Sequence, residues 1–398
     1  MKKFLSVFFF CLWIFPLRAQ VDLWPPSAQN ILWEPPGDTA LLPFFRAVDS
    51  MVFSGQNPVQ VVHIGGSHVQ AGVLSDALRT NMQRWAPGIV GERGFFFPYT
   101  LAGSNNPSSY AVRYTGVWKG QRCSVPQHTG PWGLSGIRAI TTTENARVKI
   151  YGTQEKYTYQ VARVFYRMSD TSYTVRFIPE PQKVVLRPEW GVIEAHYATK
   201  QDTLRFELVK ANGQQRSFSL EGLQLLQDTL GLQYHAIGIN GAATHSYLKA
   251  DMFQAQLHAL APDLVIFGIG INDAHVVQGT FNATAFEDRY NTLIQYFKQV
   301  NPKCSILFLT NNDCLYHGRL NRHTPIVNAS MYALAQKHGA AVWDFHALMG
   351  GQGSIYRWIN KEWASKDGIH LTKLGYVMQA EALSKALEST YLEHLRTP

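Results

Sequence analysis

Four short stretches carry residue types that could do chemistry together: "GGSH" at 65–68, "GINGA" at 238–242, "GIND" at 270–273 and "DGIH" at 367–370. Between them they offer Ser67, Gly241, Asn272 and the pair Asp367/His370. These are the parts that acyl transfer needs. A serine hydroxyl is a weak nucleophile until a histidine takes its proton, and that histidine needs an acid to fix its tautomer. The tetrahedral intermediate carries an oxyanion, which calls for preorganised N–H donors. Each stretch also has a plainer explanation. Ser67 could be the N-cap of a helix that follows a strand. Asn272 and Asp273 could cap another helix, Asp367 and His370 could pair at the surface, and Gly241 could be a turn residue with Gly238 as its rival. His245 and His275 stand near two of the stretches, but lone histidines are more often structural or exposed, so neither is included. "GIGIND" at 268–273 lacks the spaced third glycine of a dinucleotide loop.

The surrounding elements decide whether these residues can meet. Residues 59–85 read as strand, turn and helix, with Val69, Val73, Leu74, Ala77 and Leu78 at helical spacing. Ser67 falls at the corner of that βα unit. From 229 onward, apolar runs such as "PDLVIFGIGIND", "KCSILFLTNND" and "AAVWDF" alternate with helical patterns such as "FEDRYNTLIQYFKQVN" and "IVNASMYALAQKHG". "HSYLKADMFQAQLHALA" also reads as helix, and a last helix follows "DGIHLTKLGY". Repeated βα units predict a parallel sheet with helices on both faces. In such sheets, sites gather at the carboxyl ends of strands, and the four stretches fall there or on nearby loops.

The texture differs between 104 and 228. Short alternating runs such as "ARVKIYG", "VARVFYRM" and "KVVLRP" are separated by turn residues. They predict an all-β sandwich or jelly roll that interrupts one α/β domain. The expected organisation is a signal peptide at 1–19, a first α/β segment at 20–103, the inserted β domain at 104–228 and a second α/β segment at 229–398. Residues 20–58 open with prolines and tryptophans and then give a helix, "LLPFFRAVDSMVF".

The signal-peptide expectation rests on Lys2 and Lys3, the apolar run "FLSVFFFCLWIFPL" and Ala19 before the expected cut. The run is short for a membrane span. That segment holds three of the 36 basic residues and none of the 28 acidic ones, so its removal leaves a net charge of +5. A mild, diffuse positive charge suits an anionic polymer such as a cell-wall glycan and, without a dense basic run, excludes nucleic acid as a partner. At 398 residues, 46% hydrophobic and 16% charged, the chain is a folded protein with a sizeable core. Cys123, Cys304 and Cys314 would remain. Only Cys304 and Cys314 are close in sequence, Cys304 opens a buried strand, and a free thiol is expected there. No cysteine or histidine spacing points to a metal.

Taken together, "GGSH", "GINGA", "GIND" and "DGIH" resemble blocks I, II, III and V of the SGNH (GDSL-type) esterases and acylhydrolases. "ERGFFFPYTLAGSNNP", "WDFHALMGGQGSIYRW" and "WASKDGIHLTKLGY" resemble the branch of bacterial peptidoglycan O-acetylesterases, which carries a β domain inserted after block I. The resemblance implies a three-layer α/β fold interrupted by a jelly-roll-like domain. It implies Ser67 as nucleophile, His370 as general base and Asp367 as its orienting acid. Ser67 N–H, Gly241 N–H and the Asn272 amide would form the oxyanion hole. No cofactor or metal is implied. The expected activity is an exported serine esterase acting on an O-acetylated glycan, peptidoglycan first, with acetylated xylan as the second candidate. A sugar hydroxyl in place of water would make the same machinery an acetyltransferase. One departure stands out: the family has aspartate before the serine, and this chain has Gly66, which cannot tie the turn through a side chain. That motivates a third reading, a glycan-binding protein without turnover.

Overall fold

A computed structural model describes residues 24–25, 29–37, 39–85, 89, 91, 93–155, 157–227 and 231–396. The expected signal peptide lies outside the described residues. Six strands build the central sheet: β1 (Leu32–Trp33), β2 (Val59–Gly65), β3 (Leu232–Gly238), β4 (Leu264–Gly268), β5 (Ser305–Leu309) and β6 (Ala341–Trp343). Their order across the sheet is β1-β6-β5-β4-β2-β3. All neighbours are parallel except β1, which pairs antiparallel with β6 at the edge.

Successive side chains on a strand point to opposite faces, and here each face is apolar. Val61, Leu264 and Ile266 pack on one side with Phe44, Leu78, Leu383 and Leu387. Those partners come from the helices Leu42–Ser54, Val73–Met82 and Lys373–Arg396. Val62, Ile64, Val265 and Phe267 pack on the other side with Leu257, Phe297, Val327 and Leu334. Those come from the helices Phe253–His258, Ala283–Val300 and Thr324–His338. Helix, sheet and helix therefore form three layers, and the fold is the α/β class read from the sequence.

The interruption is a two-sheet β sandwich. One sheet has seven antiparallel strands and the other has four: Tyr110–Tyr114, Arg147–Gly152, Thr203–Val209 and Thr174–Phe177. Val148, Ile150 and Phe206 from the smaller sheet meet Val164, Leu220 and Leu223 from the larger one in a shared core. Strand Gly94–Phe96, ahead of residue 104, joins the larger sheet on Phe218–Leu226. It also touches the parallel sheet, because Phe95 N–H donates to His235 Nδ1 on β3 at 2.8 Å. Phe95, Phe165 and Val192 share a core with Ile237 and Val265, so the sandwich is packed onto the α/β layers.

Two stretches that read as single helices are each broken. Residues 67–85 contain Ser67–Gln70 and Val73–Met82, separated at Gly72, whose φ is 81°. A Cβ at Gly72 would lie 2.5 Å from Pro107 Cβ, so only glycine fits both the turn and that contact. Residues 245–261 likewise hold Phe253–His258 behind a separate turn of helix, Thr244–Tyr247. Cys123, Cys304 and Cys314 are free and buried. Among the described residues no helix is long and apolar enough to cross a membrane.

Candidate active site

Strand β2 is buried along most of its length and ends at Gly65. Helix Ser67–Gln70 starts immediately after it, and Gly66 is the N-cap, without a side-chain capping bond. Ser67 is therefore the first helical residue rather than the cap. Its hydroxyl is committed elsewhere, with Oγ 2.8 Å from His370 Nε2. Its N–H stands at a helix start, where no intrahelical acceptor exists.

His370 reaches Ser67 from a tight turn. Asp367 Oδ1 accepts N–H bonds from Ile369 at 2.8 Å and His370 at 3.0 Å, which fixes the loop on itself. Asp367 Oδ2 lies 2.7 Å from His370 Nδ1. A carboxylate only accepts, so Nδ1 carries the ring proton and the Nε2 lone pair faces the Ser67 hydroxyl. Partial burial pushes the Asp367 pKa up. Hydrogen bonds from the His370 ring and from the Ile369 and His370 N–H groups outweigh it, and the net shift is downward.

Asn272 lies in the short helix Ile271–Ala274 after β4, whose N-cap is Gly270, so Asn272 does not cap it. Asn272 Nδ2 donates to Ala242 O at 2.8 Å. The same nitrogen would lie 3.2 Å from a Cβ placed on Gly66. A side chain at 66 would therefore press on the Asn272 amide, which would have to give by a few tenths of an ångström. Gly241 follows β3 in the loop that Asn272 grips. Gly238, its rival, is buried at the end of β3, where a Cβ would meet Gln70 N at 2.3 Å. Ser67, Gly241, Asn272 and His370 line one open cavity of about 550 Å³.

Several residues of this site were not legible in the sequence. Asp273, considered there only as a cap, is buried and accepts from Thr244 N–H at 3.0 Å and Thr244 Oγ1 at 2.7 Å. His68 stacks on His370 with ring centroids 5.2 Å apart. Its Nδ1 lies 2.9 Å from Tyr376 Oη. Burial pushes the His68 pKa down to about 3, so a neutral ring packs against the half-buried His370. Gln70 joins two walls of the cavity: Nε2 donates to Asn105 O at 3.0 Å, and Oε1 accepts from Asn240 N–H at 2.7 Å. Asn105 lines the cavity from the segment that leads into the sandwich, and His275 lines it from the loop after Asn272. These contacts join residues far apart in the chain, and no local pattern announces them. Among the described residues no group of three or more His, Cys, Asp or Glu could hold a metal.

Residues 213–378 match the GDSL-like Lipase/Acylhydrolase family, which bears out the family resemblance; the span holds "GINGA", "GIND" and "DGIH", and "GGSH" lies ahead of it. No curated protein sequence matches. Among solved structures, a peptidoglycan O-acetylesterase superposes with a TM-score of 0.73 at 21% identity, covering 91% of this chain and 99% of that one. The likeness in fold therefore takes in the sandwich as well as the parallel-sheet layers. A lipase/acylhydrolase from Enterococcus faecalis matches 41% of this chain and 78% of its own at 17% identity, with a TM-score of 0.33. An acetyl xylan esterase matches 39% of this chain and 81% of its own at 19% identity, with a TM-score of 0.32.

Proposed function

Because residues 213–378 carry the domain of the GDSL-like lipase/acylhydrolase family, an ester-hydrolysing family, we propose that the chain is an exported serine esterase that removes O-acetyl groups from peptidoglycan. The observation that carries this reading is the unbroken hydrogen-bond chain from Ser67 Oγ through the His370 ring to Asp367. In the proposed reaction Ser67 Oγ attacks the ester carbonyl as His370 Nε2 takes its proton. Asp367 holds Nδ1–H and stabilises the imidazolium that forms. The oxyanion receives Ser67 N–H, Gly241 N–H and the Asn272 amide. Collapse of the intermediate breaks the bond to the sugar oxygen, which leaves with the proton from His370. Water then gives a proton to His370 and attacks the acetyl-serine. Acetate departs, and Ser67 recovers its proton.

Peptidoglycan as substrate is supported by the fold likeness to an enzyme of that activity over nearly the whole chain. The mildly basic composition suits an anionic wall polymer. Export is proposed from the charged and apolar start of the sequence. The non-catalytic reading rested on Gly66; the Ser67–His370–Asp367 hydrogen-bond chain, intact beside that glycine, favours turnover.

The test is acetate release from purified O-acetylated peptidoglycan by the chain without residues 1–19 and by its Ser67→Ala variant. Release that disappears in the variant is expected. No release from either, with glycan binding intact, would move the weight to a binding protein. Release from acetylated xylan alone would retain the esterase and replace the substrate.

A further inference from the structure

A second groove adjoins the Ser67 cavity. It is open, of about 900 Å³, and its lining includes Gln278, Tyr316, Arg319, Arg322, Gln352 and Tyr356. The two spaces share a wall. His275 lines the Ser67 cavity and packs edge-on against Tyr316, with centroids 4.9 Å apart. Asn272 and Gln278 stand on the same short segment, one facing each space.

The groove is built rather than loose. Tyr316 and Arg319 face each other across a two-residue hairpin, Leu315–Tyr316 with Arg319–Leu320. The turn residues His317 and Gly318 both have positive φ, 48° and 77°, the geometry that two-residue hairpins favour. Gln278 Oε1 accepts from Arg322 N–H at 3.2 Å, and His323 Nε2 accepts from Gly279 N–H at 2.8 Å, so the hairpin and the Asn272 segment are fastened together. On the far wall, the buried Asp313 accepts from Gly353 N–H and Ile355 N–H and sets the helix that presents Tyr356.

The chemistry of the lining is selective. Arg319 and Arg322 line the groove, no acidic residue among those described lines it, and neither arginine has a carboxylate partner among the described residues. Guanidinium forks match carboxylates bidentately. Tyrosine offers an apolar ring with a polar tip, a surface that suits the C–H face of a sugar. Gln278 and Gln352 add neutral amides for hydroxyl groups. We propose that this groove is a subsite for a carboxylate-bearing glycan strand, holding an acidic unit next to the sugar whose ester lies over Ser67. The assignment rests on the esterase reading above and adds a reason for that enzyme to prefer acidic over neutral polymers.

The test compares the chain with an Arg319→Gln/Arg322→Gln double variant on two esters, O-acetylated peptidoglycan and a small soluble aryl acetate. The ratio of kcat/KM for the polymer to that for the aryl ester should fall about tenfold or more, the size of one lost charged hydrogen bond. The ratio cancels any loss of folded protein. An unchanged ratio overturns the subsite. Binding to unacetylated peptidoglycan, read by co-sedimentation of the same proteins, needs no turnover. Binding that drops in the double variant supports the subsite. Equal binding, or none by the intact chain, overturns it. The esterase reading itself fails only if neither ester is cleaved, so the two failures are distinguishable.

Discussion

Asp273 and Thr244 hold the two halves of the proposed oxyanion hole together. The Asp273 carboxylate accepts both the backbone N–H and the hydroxyl of Thr244, and so fastens the loop after Gly241 to the helix that carries Asn272. Arg289 stands 3.7 Å from the same carboxylate. Removing the acceptor leaves buried donors unpaired, which costs about 1–3 kcal/mol. Asp273→Ala should therefore lower the denaturant midpoint. It should also reduce kcat about ten- to a hundredfold by misplacing the donors, with little change in KM for an aryl acetate. Unfolding curves and steady-state kinetics on the same preparation check both. Unchanged kcat would separate this contact from catalysis.

Gly66 gives a prediction that runs against family habit. Placing the family's usual aspartate there, Gly66→Asp, puts a Cβ 3.2 Å from Asn272 Nδ2. That separation is tighter than side chains normally tolerate, so the amide should shift and turnover should fall rather than rise. Asn272→Ala should remove the same donor and lower kcat about 10²–10³-fold. If Gly66→Asp is faster than the natural chain, the close seat of Asn272 over the turn is not what the reaction uses.

Stability should fall on acidification as buried histidines are forced to charge. His63, His68 and His235 are buried, and burial lowers each pKa from 6.5 to about 3. Between those values the unfolded chain binds protons that the native chain refuses, so stability rises with pH across the window and is lost as pH falls through it. Each group contributes up to about 1.4 kcal/mol per pH unit. Asp367, whose folded pKa is depressed, adds a loss in the same direction at still lower pH. Urea midpoints measured from about pH 7 down to about pH 4.5 should decline, and His235→Gln should make the decline shallower. A flat profile would contradict neutral burial of these rings.

Periodicity made the α/β layers and the sandwich legible, because each strand and helix buries one face and the apolar residues repeat accordingly. The four stretches with chemical residue types were legible for a related reason: three stand at strand ends, where the chain must turn, and "DGIH" stands in the turn between the helices Ser354–Asn360 and Lys373–Arg396. The edge strand Leu32–Trp33 was not, since two residues carry no period and its place depends on pairing with Ala341–Trp343. Gly94–Phe96 was hidden in the same way. The breaks at Gly72 and ahead of Phe253 are tertiary in origin. So are the supports of the site: His68 under His370, Gln70 between Asn105 and Asn240, and Asp273 on Thr244 each join segments that only folding brings together.

The central claim is that Ser67 is a nucleophile activated by His370. Mass spectrometry after treatment with a serine-directed fluorophosphonate tests it most directly. The predicted result is one stoichiometric adduct that maps to Ser67 and is lost in both Ser67→Ala and His370→Ala. No adduct on the natural chain, or an adduct on another residue that persists in Ser67→Ala, would contradict it.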